Sequence, residues 1–179
     1  MASWSAIARR VRVPLGFAFA VLYFWLAKPT VKSILLGAAL VIPGLVIRAV
    51  ASGQLQKNEQ LATAGPYAYT RNPLYLGSLI LAVGFALAAR SWWIVGGILL
   101  LFFAIYLPVI RAEEVFLRER FPQFEDYARR VPRLFPRVTA DKNSGAFSWD
   151  LYWKHREYNA ILGAAAMLVA LVAKMLLWH

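Results

Sequence analysis

The stretch Gly65-Pro66-Tyr67-Ala68-Tyr69-Thr70-Arg71-Asn72-Pro73-Leu74-Tyr75-Leu76-Gly77 starts in a polar loop and ends inside an apolar run that continues to residue 89. The next apolar run, 92–110, closes on Arg111-Ala112-Glu113-Glu114. If the two runs form a membrane hairpin, the chain returns to the side it left. Both polar clusters then belong to one membrane face, and the rest of the chain is the scaffold that holds them there.

Composition supports the membrane premise. Of the 179 residues 60% are hydrophobic and 16% charged, against ~45–50% and ~25% in soluble domains. Apolar runs fall at 13–27, 31–50, 73–89, 92–110 and 158–178. A helix rising ~1.5 Å per residue needs ~20 residues to cross ~30 Å of hydrocarbon. The second, fourth and fifth runs meet that length. The first and third are shorter, with Trp25, Lys28 and Arg90 near their ends to anchor or snorkel at the interface. The expected fold class is therefore an all-α integral membrane protein with five transmembrane helices and a cytosolic amphipathic helical segment between helices four and five. Lys28-Pro29-Thr30 and Arg90-Ser91 make the tight turns. The 179 residues form one membrane domain on this reading: an N-terminal hairpin (1–50), a central core (51–137), and a juxtamembrane segment with a last helix (138–179).

The net charge of +11 is explained by topology rather than by nucleic acid. Arg9, Arg10 and Arg12 precede the first run, Arg48, Lys57 and Arg71 follow the second, and Arg111 through Arg156 carries most of the remainder. Lys28, Lys32, Arg90 and Lys174 are left for the opposite side. That asymmetry puts the N-terminus in the cytosol and the C-terminus across the membrane (the cytoplasmic membrane in a bacterium), with anionic lipid as the basic residues' partner. Basic residues before an apolar stretch also suit a signal peptide, but Ala27-Lys28-Pro29 offers no small-x-small cleavage site, so an uncleaved first helix is expected. Without cysteine there is no disulfide, thiolate metal site or Cys nucleophile. His155 and His179 are too few for a His-built metal centre, so no metal is expected.

Residues 111–157 are the sizeable extramembrane segment. Val115, Phe116, Phe121, Phe124 and Tyr127 alternate with charges over 111–130, which suits one or two amphipathic helices on the membrane face. Pro122 breaks them and Pro132 follows their end. Asp150 and His155 stand in a Trp/Tyr-rich stretch and read as interfacial anchors. Lys174 reads as a snorkelling residue, and Pro108 as a kink in helix four that opens a gap for lateral entry of a lipid.

Asn72-Pro73 is a helix start, since Asn caps well and Pro is favoured at the first helical position. The backbone N–H groups of that turn face the cytosolic interface, where they can also take an anionic group. Tyr67, Tyr69 and Tyr75 fit an aromatic interface belt. Glu113 and Glu114 lie where carboxylates are costly unless paired or solvated. They pair with Arg111, Arg118 or Arg71 as structural ion pairs, or one of them holds a cationic ligand group such as an ammonium. No Ser/His/Asp arrangement, phosphate loop, GxGxxG or HExxH is present.

Taken together, Gly65-Pro66-Tyr67-x-x-x-Arg71-Asn72-Pro73-x-Tyr75-x-Gly77, then Glu113-Glu114, then Phe124-x-x-Tyr127-x-x-Arg130-Val131-Pro132-Arg133-x-x-Pro136 resembles the C-terminal signature of the isoprenylcysteine carboxyl methyltransferase and phospholipid methyltransferase superfamily. The resemblance covers residues 52–137. It implies an integral membrane methyltransferase that uses S-adenosylmethionine, bound at the cytosolic face, and a lipophilic acceptor drawn from the bilayer, either a prenylcysteine-like carboxylate or a phospholipid amine. By motif, Gln60, Leu61, Ala62, Tyr67, Asn72, Pro73, Leu74 and Tyr75 line the cofactor pocket. Glu113 or Glu114 takes the cofactor's ammonium group, and Arg111 is the nearest match to a substrate-holding arginine. Asn72 stands where the isoprenylcysteine enzymes have His, which draws the resemblance toward the broader lipid methyltransferases. The helix at 158–178 is an addition to the usual ending.

Two competitors remain. Membrane sterol reductases, which use NADPH, share an Arg-x-x-x-Tyr-x-Gly element but carry an acidic residue after the glycine, where this chain has Ser78. A non-enzymatic scaffold or transport subunit would use the same polar cluster only for packing and ion pairs.

Overall fold

The computed structural model describes residues 4–56, 59–137 and 145–178, with the backbone alone for 4–6 and 8–13. Lys57 and His179, read above for charge and metal chemistry, lie outside the described residues, as do the side chains of Arg9, Arg10 and Arg12. The described chain is helical, without a strand. Its helices are α1 (Trp4–Leu26), α2 (Val31–Ser52), α3 (Pro66–Tyr69), α4 (Pro73–Ala89), α5 (Trp92–Leu101), α6 (Leu107–Arg120), α7 (Phe124–Arg130), α8 (Trp149–Lys154) and α9 (Tyr158–Leu177), and a π-helical turn, Phe102–Tyr106, joins α5 to α6. Among the described residues three helices are long and apolar enough to cross a membrane: α2, the continuous helix Trp92–Arg120, and α9. Pro14–Leu26 of α1 and the whole of α4 are apolar but shorter.

Two features of the helix Trp92–Arg120 differ from the sequence reading. The segment from Arg111 to Arg120 is not a separate helix, because it continues the fourth apolar run without interruption. Charged side chains do not stop a helix, whereas the residue before a proline is pushed out of the α region, and α6 ends just before Phe121-Pro122. The expected irregularity at Pro108 takes the form of a wide turn. Leu107 N–H donates to Phe102 O, five residues back, so the helix widens on the N-terminal side of a residue that can donate no hydrogen bond itself.

The chain divides into two compact units. The first comprises Met1–Val41, Ala82–Glu114 and Ala164–His179. Its core gathers Tyr23, Ala27, Ala88, Ala89, Ile94 and Leu171, all buried. Two turns are fixed by their own polar groups. Thr30 and Ser33 cap α2 reciprocally, with Thr30 N–H donating to Ser33 Oγ (2.9 Å) and Ser33 N–H to Thr30 Oγ1 (3.3 Å). Lys28 N–H donates to Ala89 O (2.8 Å), which satisfies a carbonyl that the end of α4 leaves open. Arg90 then turns the chain with φ of +52°. Lys174 does more than snorkel: its ammonium donates to Phe24 O and, at 3.0 Å, to Trp25 O at the end of α1.

The second unit comprises Ile42–Leu81 and Val115–Gly163. Its core is the cluster Phe121, Phe124, Tyr127 and Val131, against which Leu61, Leu117 and Ala128 pack. Arg71 and Arg118 each lie 5.9 Å from the Phe124 ring centroid.

Glycines set how closely α2 and α4 approach. In the first unit a Cβ on Gly37 would lie 2.6 Å from Gly84 O, and one on Gly84 would lie 2.7 Å from Gly37 O. In the second unit the same holds for Gly44 and Gly77, at 2.9 and 2.8 Å. Backbone atoms cannot swing aside, so these four positions exclude any larger residue. Small residues at a helix contact are how membrane helices gain close packing without a hydrophobic drive between them.

Candidate functional site

The two flanking parts of the sequence signature meet inside the second unit. The Gly65–Gly77 stretch opens with Gly65 at φ +56°, a left-handed conformation that suits glycine. The short helix α3 follows, then Thr70 and Asn72, then α4. Leu76 N–H donates to Asn72 O (2.9 Å), which makes Asn72 the residue from which α4 departs. The strap that follows α7 lies along this loop. Arg71 N–H donates to Pro132 O (2.9 Å), and Arg137 N–H to Tyr69 O (3.0 Å). Asn72 Nδ2 and Thr70 Oγ1 both donate to Arg133 O, at 2.9 and 3.2 Å. From α7 itself, Tyr127 Oη donates to Tyr67 O (2.7 Å). Pro132 and Pro136 suit such a strap, because it meets the loop mainly through carbonyl groups, those of Pro132 and Arg133, and a proline loses only its N–H.

Of the residues expected to line a cofactor pocket, Tyr67 and Pro73 are buried, Asn72, Leu74 and Tyr75 are half-buried, and Gln60 is exposed. Leu61 serves two structures, since it packs on the α7 core and also lines a cavity. That cavity, about 290 Å³, is lined by Gln54, Gln56, residues 60–64, Gly145 and Ala146. It therefore collects Gln60, Leu61 and Ala62 but not Tyr67 or Asn72–Tyr75. Among the described residues no ionisable side chain lines it. Gln54 Nε2 donates to Gly145 O (2.8 Å), while Gln54 Oε1 is buried with no hydrogen-bond partner among the described residues. An acceptor left in that state costs ~1–3 kcal/mol.

Arg111, Glu113 and Glu114 belong to the first unit. Along α6 Ile110 and Glu114, four residues apart, are buried, whereas Arg111 and Val115 occupy an exposed face. Glu113 is half-buried and Glu114 is 4% exposed. A carboxylate is placed that deep only with compensation, so the two neighbouring glutamates are distinct: Glu114 is the inward one.

Sequence reasoning missed the polar network around Arg48. Its Nε lies 2.6 Å from Glu157 Oε1 and its Nη2 3.1 Å from Oε2. Nη1 donates to Ser78 Oγ and to Leu74 O (3.3 Å). In the sequence Arg48 stands as one more basic residue, and Glu157 carries no motif. An acid adjacent to the last apolar run and a base inside the second were a visible signal that the two are paired.

The profile of the family described as phospholipid methyltransferase matches residues 12–123. Among characterised proteins, the chain is 37% identical over 97 residues to the cobalt-zinc-cadmium resistance protein CzcN of Cupriavidus metallidurans, covering 54% of this chain and 44% of that one. It is 36% identical over 92 residues to the nickel-cobalt-cadmium resistance protein NccN of Alcaligenes xylosoxydans xylosoxydans, covering 51% of this chain and 43% of that one. The matched part is thus less than half the length of either relative. No solved structure matches the chain.

Proposed function

The chain belongs to the phospholipid methyltransferase family, and from that premise we propose that it is an integral membrane methyltransferase carrying a methyl group from S-adenosylmethionine to a lipophilic acceptor at the cytosolic membrane face. The observation that carries this reading is the joining of the two flanking signature segments through Asn72, Thr70 and Tyr127. A loop so braced is preorganised, which is what a site that works by positioning requires. In this reading α1 and α4 cross the bilayer with the three longer helices, giving five spans with the N-terminus in the cytosol. The sequence boundaries 1–50, 51–137 and 138–179 then divide one membrane domain.

The cavity suits the uncharged adenosine part of the cofactor, because among the described residues amide, hydroxyl and backbone groups line it and no charged group does. Gln60, Leu61 and Ala62 would hold that part, with Tyr67, Asn72, Pro73, Leu74 and Tyr75 around the rest. Glu114, with Glu113 beside it, would take the ammonium group. When bound, the cofactor supplies an electrophilic methyl carbon. Arg111 would orient the acceptor. A carboxylate acceptor needs no base, whereas an amine must lose a proton, for which a glutamate or an ordered water is the candidate.

The test is calorimetric titration of the detergent-purified protein with S-adenosylmethionine and S-adenosylhomocysteine, with NADPH as the control. Micromolar binding of both adenosyl compounds supports the reading. Binding of NADPH alone would replace it with the reductase, and no binding at all with the scaffold. A second reading, a part in metal resistance, is favoured by the names of the two relatives. Growth of cells with and without the gene in cobalt, zinc or cadmium would test it.

A further inference from the structure

The segment from Gly145 to Glu157 lies beyond the family-matched residues, which end at 123, yet it is fastened to the end of α2 at four successive points. Gly145 O accepts from Gln54 Nε2 (2.8 Å), and Ser148 N–H donates to Gly53 O (2.8 Å). His155 Nδ1 donates to Ser52 O (3.1 Å), and the Glu157 carboxylate takes two nitrogens of Arg48. As the segment ascends from 145 to 157 its partners descend from 54 to 48, so it runs back along α2. Between the fastenings Phe147 lies so close over Gly53 that a Cβ there would come within 2.2 Å of its ring. Ser148 caps α8, accepting from Leu151 N–H.

We propose that this segment is the closing wall of the loop cavity, and that the Arg48–Glu157 pair is the positioning element that sets where the wall stands. Gly145 and Ala146 line the cavity together with residues 60–64. At Gly145 the backbone itself makes the wall, since a Cβ would meet Gln54 Oε1 at 2.8 Å and Ala64 Cβ at 3.1 Å. The ligand that this wall encloses is a hydrogen-bonding group, as the described lining offers the amides of Gln54, Gln56 and Gln60 and the Thr63 hydroxyl. The proposal rests on the methyltransferase reading and deepens it, because the enclosed group is then the adenosine part of the cofactor. The segment thus contributes to binding as well as to anchoring the last helix.

The unaltered protein and three variants are titrated with S-adenosylhomocysteine, and folding is followed by thermal unfolding in detergent. Ala146 is exposed, so Ala146→Trp fills the cavity mouth without burdening the core. It is expected to bind at least ~10-fold more weakly at an unchanged midpoint, a loss of ~1.4 kcal/mol. Glu157→Gln is expected to weaken binding several-fold, and the exchange Arg48→Glu with Glu157→Arg to restore part of it. If the unaltered protein binds and both Ala146→Trp and Glu157→Gln bind equally well, the wall is overturned while the methyltransferase reading stands. If the unaltered protein does not bind, both fall. If Glu157→Gln weakens binding only as far as it lowers the midpoint, and the exchange restores neither, the positioning role is overturned.

Discussion

Arg48 grips both carboxylate oxygens of Glu157 across 109 positions of chain, with Nε–Oε1 at 2.6 Å and Nη2–Oε2 at 3.1 Å. The glutamate side chain is 8% exposed and the arginine 22%. Two-point geometry of this kind is specific to guanidinium and carboxylate. Removing one partner strands the other in a poorly solvated place. Glu157→Ala is therefore expected to destabilise the protein by ~2–3 kcal/mol, less than the ~3–5 kcal/mol of a fully buried pair because Arg48 keeps some solvent. The double replacement Arg48→Met with Glu157→Leu should recover much of that loss. Denaturant unfolding in detergent reads both.

Asn72 holds the strap through Arg133 O at 2.9 Å. Asn72→Ala should cost ~0.5–1.5 kcal/mol and open 131–137 to proteolysis. A histidine at 72 can still offer one N–H, so Asn72→His should protect the strap better than alanine does. Equal cleavage of the two variants would refute the assignment.

Glycine substitutions separate two kinds of position. Gly44→Ala and Gly77→Ala would press a methyl group against a facing carbonyl, at a cost of ~1–3 kcal/mol. Gly96 and Gly163 have nothing within 4 Å of an added Cβ, so alanine there should be neutral or stabilise by up to ~1 kcal/mol. Thermal midpoints of the four variants check the contrast.

Glu114→Gln keeps the shape of a buried side chain and removes its charge. Binding of S-adenosylmethionine should weaken by roughly 10-fold or more, the value of a charge-assisted hydrogen bond. Glu113→Gln, at the half-buried neighbour, should weaken it less. Calorimetry on the two variants decides which glutamate takes the ammonium.

Local signals carried most of the helix boundaries. Lys28-Pro29-Thr30, Arg90-Ser91, Asn72-Pro73 and Pro122 announce their turns because the backbone constraint sits in the residue itself. The meeting of 65–77 with 124–136 was legible only as a motif, since hydrogen bonds such as Tyr127 to Tyr67 O span 60 positions and leave no periodic trace. The Gly37/Gly44 and Gly77/Gly84 spacing of seven was readable in principle, for seven residues are close to two helical turns. The wall at Gly145–Ala146 was not, because two small residues after a polar stretch carry no chemistry until the fold puts them beside Gln54. Pro108 was recognised as a disturbance, but whether a helix bends or widens depends on what it packs against, and the π-helical turn Phe102–Tyr106 packs on α1.

That wide turn bears on how the helix can change in length. A π-helical turn carries about one residue more than an α turn. A chain lacking one of residues 102–106 would relax to the ordinary pitch and keep Glu114 facing the way it does now. A deletion between Leu107 and Glu113, past the turn, would instead swing both glutamates by about 100° around the helix axis, one residue's share of a 3.6-residue turn. The helix carries one residue of slack, placed just ahead of the carboxylates whose direction it protects.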